Sequence, residues 1–260
     1  MNVLVTFVLL ATSWTYPRVD SDIQTYSQSA ATVDNVVAGY INPAGLAPRF
    51  AMGLRYMHAF TDSSFKGDDG FILASKGNCV SIQWLKHTNG VFRRKYTLAA
   101  GKRMAPNFYW GISYAWFGGS DMYSKKKVWK TGFQYHLKNN FSFGLVIDDI
   151  NRPKFGDIQT ERFYTLGTAF FSDQKKITFS TDAYFEEKSW LDDAEAMFRL
   201  EFRPSKSIIL VGDYRTEGFF KIGLAYLLGY VDVGISSRFY ENDYLGGNFY
   251  YNQGPMAGAK

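Results

Sequence analysis

The sequence predicts an all-β fold: an antiparallel transmembrane β-barrel of about 14 strands, with a short N-terminal plug. Three observations carry this. From Phe50 onward the pattern of apolar and polar residues has a period of two, which puts alternate residues on opposite faces of a strand. The alternating segments are long; a tilted strand crossing a bilayer needs about 9–11 residues, whereas ordinary soluble strands commonly run to about 5–6. The connections alternate between longer and shorter along the chain. Membrane barrels have short turns on one side and longer loops on the other. A soluble β-sandwich, the competing reading, has no reason to sort its loops by parity.

The totals agree. Aromatic residues make up 18% of the 260 residues, alongside 24 glycines. Hydrophobic content is 46%, yet mean hydropathy is slightly negative, so apolar residues are dispersed among polar ones. No internal run reaches the ~18 apolar residues of a spanning helix. The net charge of +5 is spread thinly, and its densest cluster is Lys125-Lys126-Lys127. This argues against nucleic acid as a partner. A single cysteine, Cys79, excludes an intrachain disulfide.

Taken in order, residues 1–18 read as a signal peptide: Val3 to Ala11 is almost wholly apolar and ends in the small residues Ala11, Thr12 and Ser13. The alternative is a buried N-terminal strand. Residues 19–48 are polar and rich in small residues, with no period of two, and end in Asn42-Pro43-Ala44-Gly45-Leu46-Ala47. There Pro43 fixes φ and pushes Asn42 out of the helical region, while Gly45 permits a tight reversal. Residues 49–252 hold the barrel, in segments at about 50–60, 70–76, 79–87, 94–103, 107–117, 127–137, 141–148, 161–171, 176–186, 194–203, 207–214, 218–227, 230–238 and 244–251. Residues 253–260 form a tail without the aromatic that closes many barrels; the expectation is a fragment or the front of a larger protein.

The longer connections are 61–69, 88–93, 118–126, 149–160, 187–193 and 239–243, with Arg215-Thr216-Glu217 as a short exception, and the shorter ones carry Gly, Pro, Asn, Asp or Ser as tight turns require. Phe108, Trp110, Tyr114 and Trp116 share one face, and Phe163 and Phe171 bracket Thr165, Gly167 and Ala169. Both sets suit the aromatic girdles of a membrane barrel. The opposite faces mix Gly, Ser and Ala with single charges, which suits a crowded lumen. Its expected charged residues are Arg55, Lys130, His136, Asp182, Glu195, Arg199, Glu201, Asp232 and Arg238, joined by Asp148, Arg203 and Lys221. With both signs present, mutual pairing is expected rather than ion selection.

Enzyme chemistry is not expected. His58, His87 and His136 lack metal-ligand spacing, and phosphate-loop, GxSxG and HExxH patterns are missing from the sequence. The remaining possibility is His136 beside Ser113 or Ser142. No cofactor or metal is implied.

The stretch AATVDNVVAGYINPAGLA, residues 30–47, resembles the N-terminal region of FadL-like outer-membrane transporters, and equally that of PorV-like barrels. The resemblance implies a fourteen-stranded barrel in the outer membrane of a Gram-negative-type bacterium. It also implies that Asn42, Pro43, Ala44 and Gly45 form the tip of a hatch folded into the barrel. The implied partners are outer-membrane lipid and small hydrophobic molecules such as fatty acids. The alternative is a non-transporting PorV-like scaffold, or the membrane module of a larger secretion or protease protein. The longest connection, 149–160, is polar, unlike a lipid-binding groove.

Overall fold

The structure, a computed structural model, describes residues 28–253 except 49–51, 62–63, 87–91, 120–124, 138–139, 156–157, 189–193, 217, 229–230 and 241–242. The expected signal peptide and the tail from residue 254 lie outside the described residues. The strands are β1 (Gly53–Thr61), β2 (Ser64–Ser75), β3 (Asn78–Lys86), β4 (Phe92–Ala105), β5 (Phe108–Gly119), β6 (Lys127–Leu137), β7 (Phe141–Asp148), β8 (Lys154–Phe155), β9 (Ile158–Gln159), β10 (Phe163–Phe171), β11 (Ile177–Glu186), β12 (Glu195–Ser205), β13 (Ile208–Arg215), β14 (Phe219–Leu228), β15 (Val231–Tyr240) and β16 (Asp243–Gln253). All but β8 and β9 form one closed antiparallel barrel of neighbours in sequence, sealed where β1 pairs with β16. The β8–β9 hairpin stands apart, within the connection from β7 to β10.

Alternation builds this wall. On β5, Gly111, Ser113, Ala115 and Phe117 are buried inward, while Trp110, Ile112, Tyr114 and Trp116 between them face out. The outward sets of the other strands continue the pattern: Phe141 and Phe143, Leu166 and Phe170, Phe198 and Leu200, Ile222 and Leu224 are all exposed. An apolar surface this continuous has no counterpart on soluble monomers, and a barrel leaves no unpaired edge in lipid. Lys76 and Gly77, both at positive φ, make the primed turn that suits a two-residue hairpin between β2 and β3.

Two expectations need correction. Residues 61–69 do not form a long loop: β2 starts at Ser64 and pairs with β1 through an irregularity near Ala59. Its run Lys66-Gly67-Asp68-Asp69-Gly70 has loop composition, but backbone pairing can extend a hairpin beyond the apolar belt without an apolar face. The sorting of connection lengths therefore holds through the middle of the chain and fails at β1–β2, β13–β14 and β15–β16. Phe163 and Phe171 share the inward parity of buried Gly167 and Ala169, so they flank the lumen side of β10 rather than the outer girdle.

The lumen is occupied. Residues 28–48 lie within it, with a short helix α1 (Ala38–Ile41) followed by a 3-10 turn at Pro43–Leu46. Val33, Val36, Val37 and Leu46 pack on inward Met57, Ile72, Ile209, Val211 and Ala225. Each such apolar side chain contributes about 1.5–3 kcal/mol on burial. One sector of the inner wall is therefore apolar, which the expected polar lumen did not anticipate.

Candidate functional site

Opposite the apolar sector, the wall is built of glycine. Gly101 pairs with Gly111 and Gly111 with Gly132 in the strand register, and Gly144 pairs with Gly167. The track crosses β4, β5, β6, β7 and β10, and the N-terminal segment lies directly on it. A Cβ at Gly111 would stand 2.2 Å from the Pro43 carbonyl carbon, and one at Gly132 would stand 2.0 Å from Asn42 Oδ1. At Gly101 and Gly144 it would meet Pro43 O at 2.6 Å and Ala30 O at 2.3 Å. Real Cβ atoms do not approach so closely, so the seat requires these positions to lack side chains.

Asn42 fixes the segment at the centre of the seat and is fully buried. Its Nδ2 donates to Ala30 O at 2.8 Å and to Phe133 O of β6 at 3.0 Å. Its Oδ1 accepts from Ala44 N at 3.1 Å and so caps the 3-10 turn, with Pro43 in the first position, where its missing donor costs nothing. One amide thus joins the two arms of the segment and ties both to the wall. Gly45 is as constrained, since a Cβ there would lie 1.9 Å from Val33 O.

Polar wall residues complete the hold. Gln134 Nε2 donates to Ala30 O at 3.0 Å and to Val33 O at 2.9 Å. The Ser142 hydroxyl donates to Ala31 O. Asp182 Oδ1 accepts from Ser29 Oγ at 2.7 Å and from Ala30 N at 3.2 Å. The Lys130 ammonium donates to Tyr40 O and pairs with Asp148 at 2.8 Å. Buried donors and charges left without such partners would each cost about 1–3 kcal/mol or more.

Of the residues expected in the lumen, Lys130 and Asp182 thus meet the segment. Arg55 is buried on β1. Arg199 approaches Asp213 at 3.5 Å and Glu201 at 3.9 Å, and Glu201 also accepts from Arg203 at 2.8 Å, a run of mutual pairing along β12 and β13. Glu195 opens β12 opposite Tyr184. The side chains of Asp232 and Arg238 lie outside the described residues; on β15 these positions pair with Leu227 and Lys221. His136 and Ser142 are register partners, but the Ser142 hydroxyl is engaged by Ala31 O and the His136 ring lies against Tyr109 at 5.2 Å. Ser113 faces Lys130 instead. The holding roles of Gln134 and Ser142 and the glycine track escaped the sequence, although the sequence offers Ser142 as a partner of His136; the one signal of the track was glycine recurring in mid-strand on the inward parity.

No protein-family model and no curated protein matches the chain. Among solved structures, the Ralstonia pickettii toluene transporter TbuX is similar at 12% identity and a TM-score of 0.54, with 88% of this chain and 95% of that one covered. The Acinetobacter baumannii outer-membrane protein Omp33 is similar at 11% identity and a TM-score of 0.50, covering 79% of this chain and 97% of that one. A bacterial polysaccharide outer-membrane secretin matches at 12% identity and 0.50, covering 80% and 99%. The chain has the fold of an outer-membrane β-barrel. The likeness to FadL-like barrels drawn from residues 30–47 is borne out as one of fold.

Proposed function

We propose that the protein is an outer-membrane channel or transporter for small hydrophobic compounds, such as fatty acids or hydrocarbons, with residues 28–48 as its hatch. The observation that carries this is the apolar sector of the inner wall. Met57, Ile72, Ile209, Val211 and Ala225 form one buried cluster with the N-terminal segment, so a hatch that leaves its seat bares apolar side chains on the inner wall. The toluene transporter named above supports the same substrate class. Uptake of labelled fatty acid and of toluene into proteoliposomes tests it, with the intact protein compared with Asn42→Ala and with a deletion of residues 28–47. Faster uptake by both variants is expected. No uptake by the intact protein or either variant, from barrels that still migrate heat-modifiably, defeats transport. That result favours the second reading, a PorV-like scaffold or membrane module, for which the filled lumen and polar 149–160 connection speak.

A further inference from the structure

Charge is distributed unequally between the two ends of the barrel. At the short-turn end, Lys76, Lys102, Arg103, Lys175, Lys176 and Lys206 are all exposed. They come from the β2–β3, β4–β5, β10–β11 and β12–β13 hairpins, and so are spread around the circumference. Among the described residues none of the six forms an ion pair; Arg103 Nε reaches only Ala105 O at 3.3 Å, and Lys175 lies over the Phe171 ring at 5.3 Å. Of the acids near this end, Glu201 is taken by Arg203 and Asp34 belongs to the segment inside the barrel; the side chains of Asp173, in the turn with Lys175, and of Asp232 lie outside the described residues. At the long-loop end several cations are matched, since Arg152 and Arg162 share Glu187 and Lys188 holds Glu161, although Lys125, Lys127 and Lys154 are exposed there with no ion pair among the described residues.

Three of the six cations also adjoin the apolar belt, while Arg103 has the inward parity of β4 and Lys175 lies over lumen-side Phe171. Lys102 follows Leu98 and Ala100 on the outward face of β4, Lys176 precedes exposed Ile177, and Lys206 sits between exposed Phe202 and outward Ile208. In a membrane barrel the short turns face the periplasm, so the cations lie level with the headgroups of the inner leaflet. A basic rim directly below an apolar belt, spread around the barrel, fits an annulus of lipids rather than one localised protein partner. We propose that this rim binds anionic phospholipid headgroups of the periplasmic leaflet. The phosphodiester oxygens accept from the ammonium and guanidinium groups while the acyl chains lie along the belt. This rests on the barrel's membrane setting and is independent of what the lumen carries.

The test uses the full chain in mixed bilayers, with tryptophan fluorescence quenched by brominated phosphatidylglycerol or brominated phosphatidylcholine. Phosphatidylglycerol is expected to associate about fivefold more tightly at low salt, the factor about one surface cation supplies, and to lose most of that preference near 1 M salt. Combined Lys102→Gln, Arg103→Gln, Lys175→Gln and Lys176→Gln should abolish the preference, while Lys154→Gln with Lys188→Gln at the other end should not. Heat-modifiable migration confirms that each variant is folded. Equal association of the two lipids with the intact protein overturns the proposal, as does a preference that survives the fourfold variant. Salt-sensitive capture of polyglutamate without lipid preference would assign the rim to an acidic protein instead.

Discussion

Asn42 shows how much one side chain can decide. Its amide donates to two carbonyls and accepts from Ala44 N, and only an amide of that length combines the three. Asn42→Ala should weaken the seating of residues 28–47 by about 2–3 kcal/mol, read as faster hydrogen exchange across the segment. Asn42→Asp keeps the shape but sets an acceptor against two carbonyls. It should exchange as fast as the alanine variant, and protection equal to the native protein would refute the hydrogen-bond account. Gly111→Ala puts a methyl 2.2 Å from Pro43, whereas Gly212→Ala meets nothing within 4 Å. The first should displace the segment and raise single-channel conductance while the barrel persists; the second should leave both unchanged. The motif itself was legible in the sequence. Its seat was not, because the track exists only once strand register brings Gly101, Gly111 and Gly132 side by side.

The strands were largely legible, because alternation is local and each hairpin repeats it. The element that escaped was the first part of β2, where pairing with β1 overrides loop-like composition. The long connections carry their own order. Glu187 accepts from Arg152 Nε at 3.0 Å and pairs with Arg162 at 3.0 Å, which joins the β7–β10 connection to the end of β11. The hydrogen bond from Arg152, with the charges of Arg152 and Arg162 behind it, holds the Glu187 carboxyl below its ordinary range. A depressed carboxylate stabilises the tether above its unfolded value, and that contribution is lost as pH falls through the folded one. A spin label at residue 151 should therefore gain mobility below about pH 4, and Glu187→Gln should show the same mobility already at neutral pH. A label that stays immobile in the variant would show that other contacts order the connection.

At the scale of the molecule, the barrel and the segment inside it are separate bodies of contacts. The wall is closed by its own ladder from β1 to β16, and the segment adds an internal core between its valines and the apolar sector. Deleting residues 28–47 should leave heat-modifiable migration intact but lower the urea midpoint and the slope of unfolding, since less apolar surface is exposed on unfolding. Loss of the folded band would instead show that the barrel cannot close around an empty lumen. The sequence made the wall visible because membrane crossing imposes its period on every strand. The division of the lumen into an apolar and a glycine sector stayed hidden, since it depends on which strands stand opposite one another.

Gln134, Ser142 and Lys130 address the segment through its main chain, at Ala30 O, Val33 O, Ala31 O and Tyr40 O, and Asp182 takes Ala30 N beside the Ser29 hydroxyl. A lock that reads peptide groups is indifferent to most of the letters spelled by its key. Over evolutionary time the inserted segment can drift at positions other than Ser29, Asn42 and Gly45 where its residues stay small, while the glycines of the wall cannot. Descent would then be traced more securely in the keyhole than in the key.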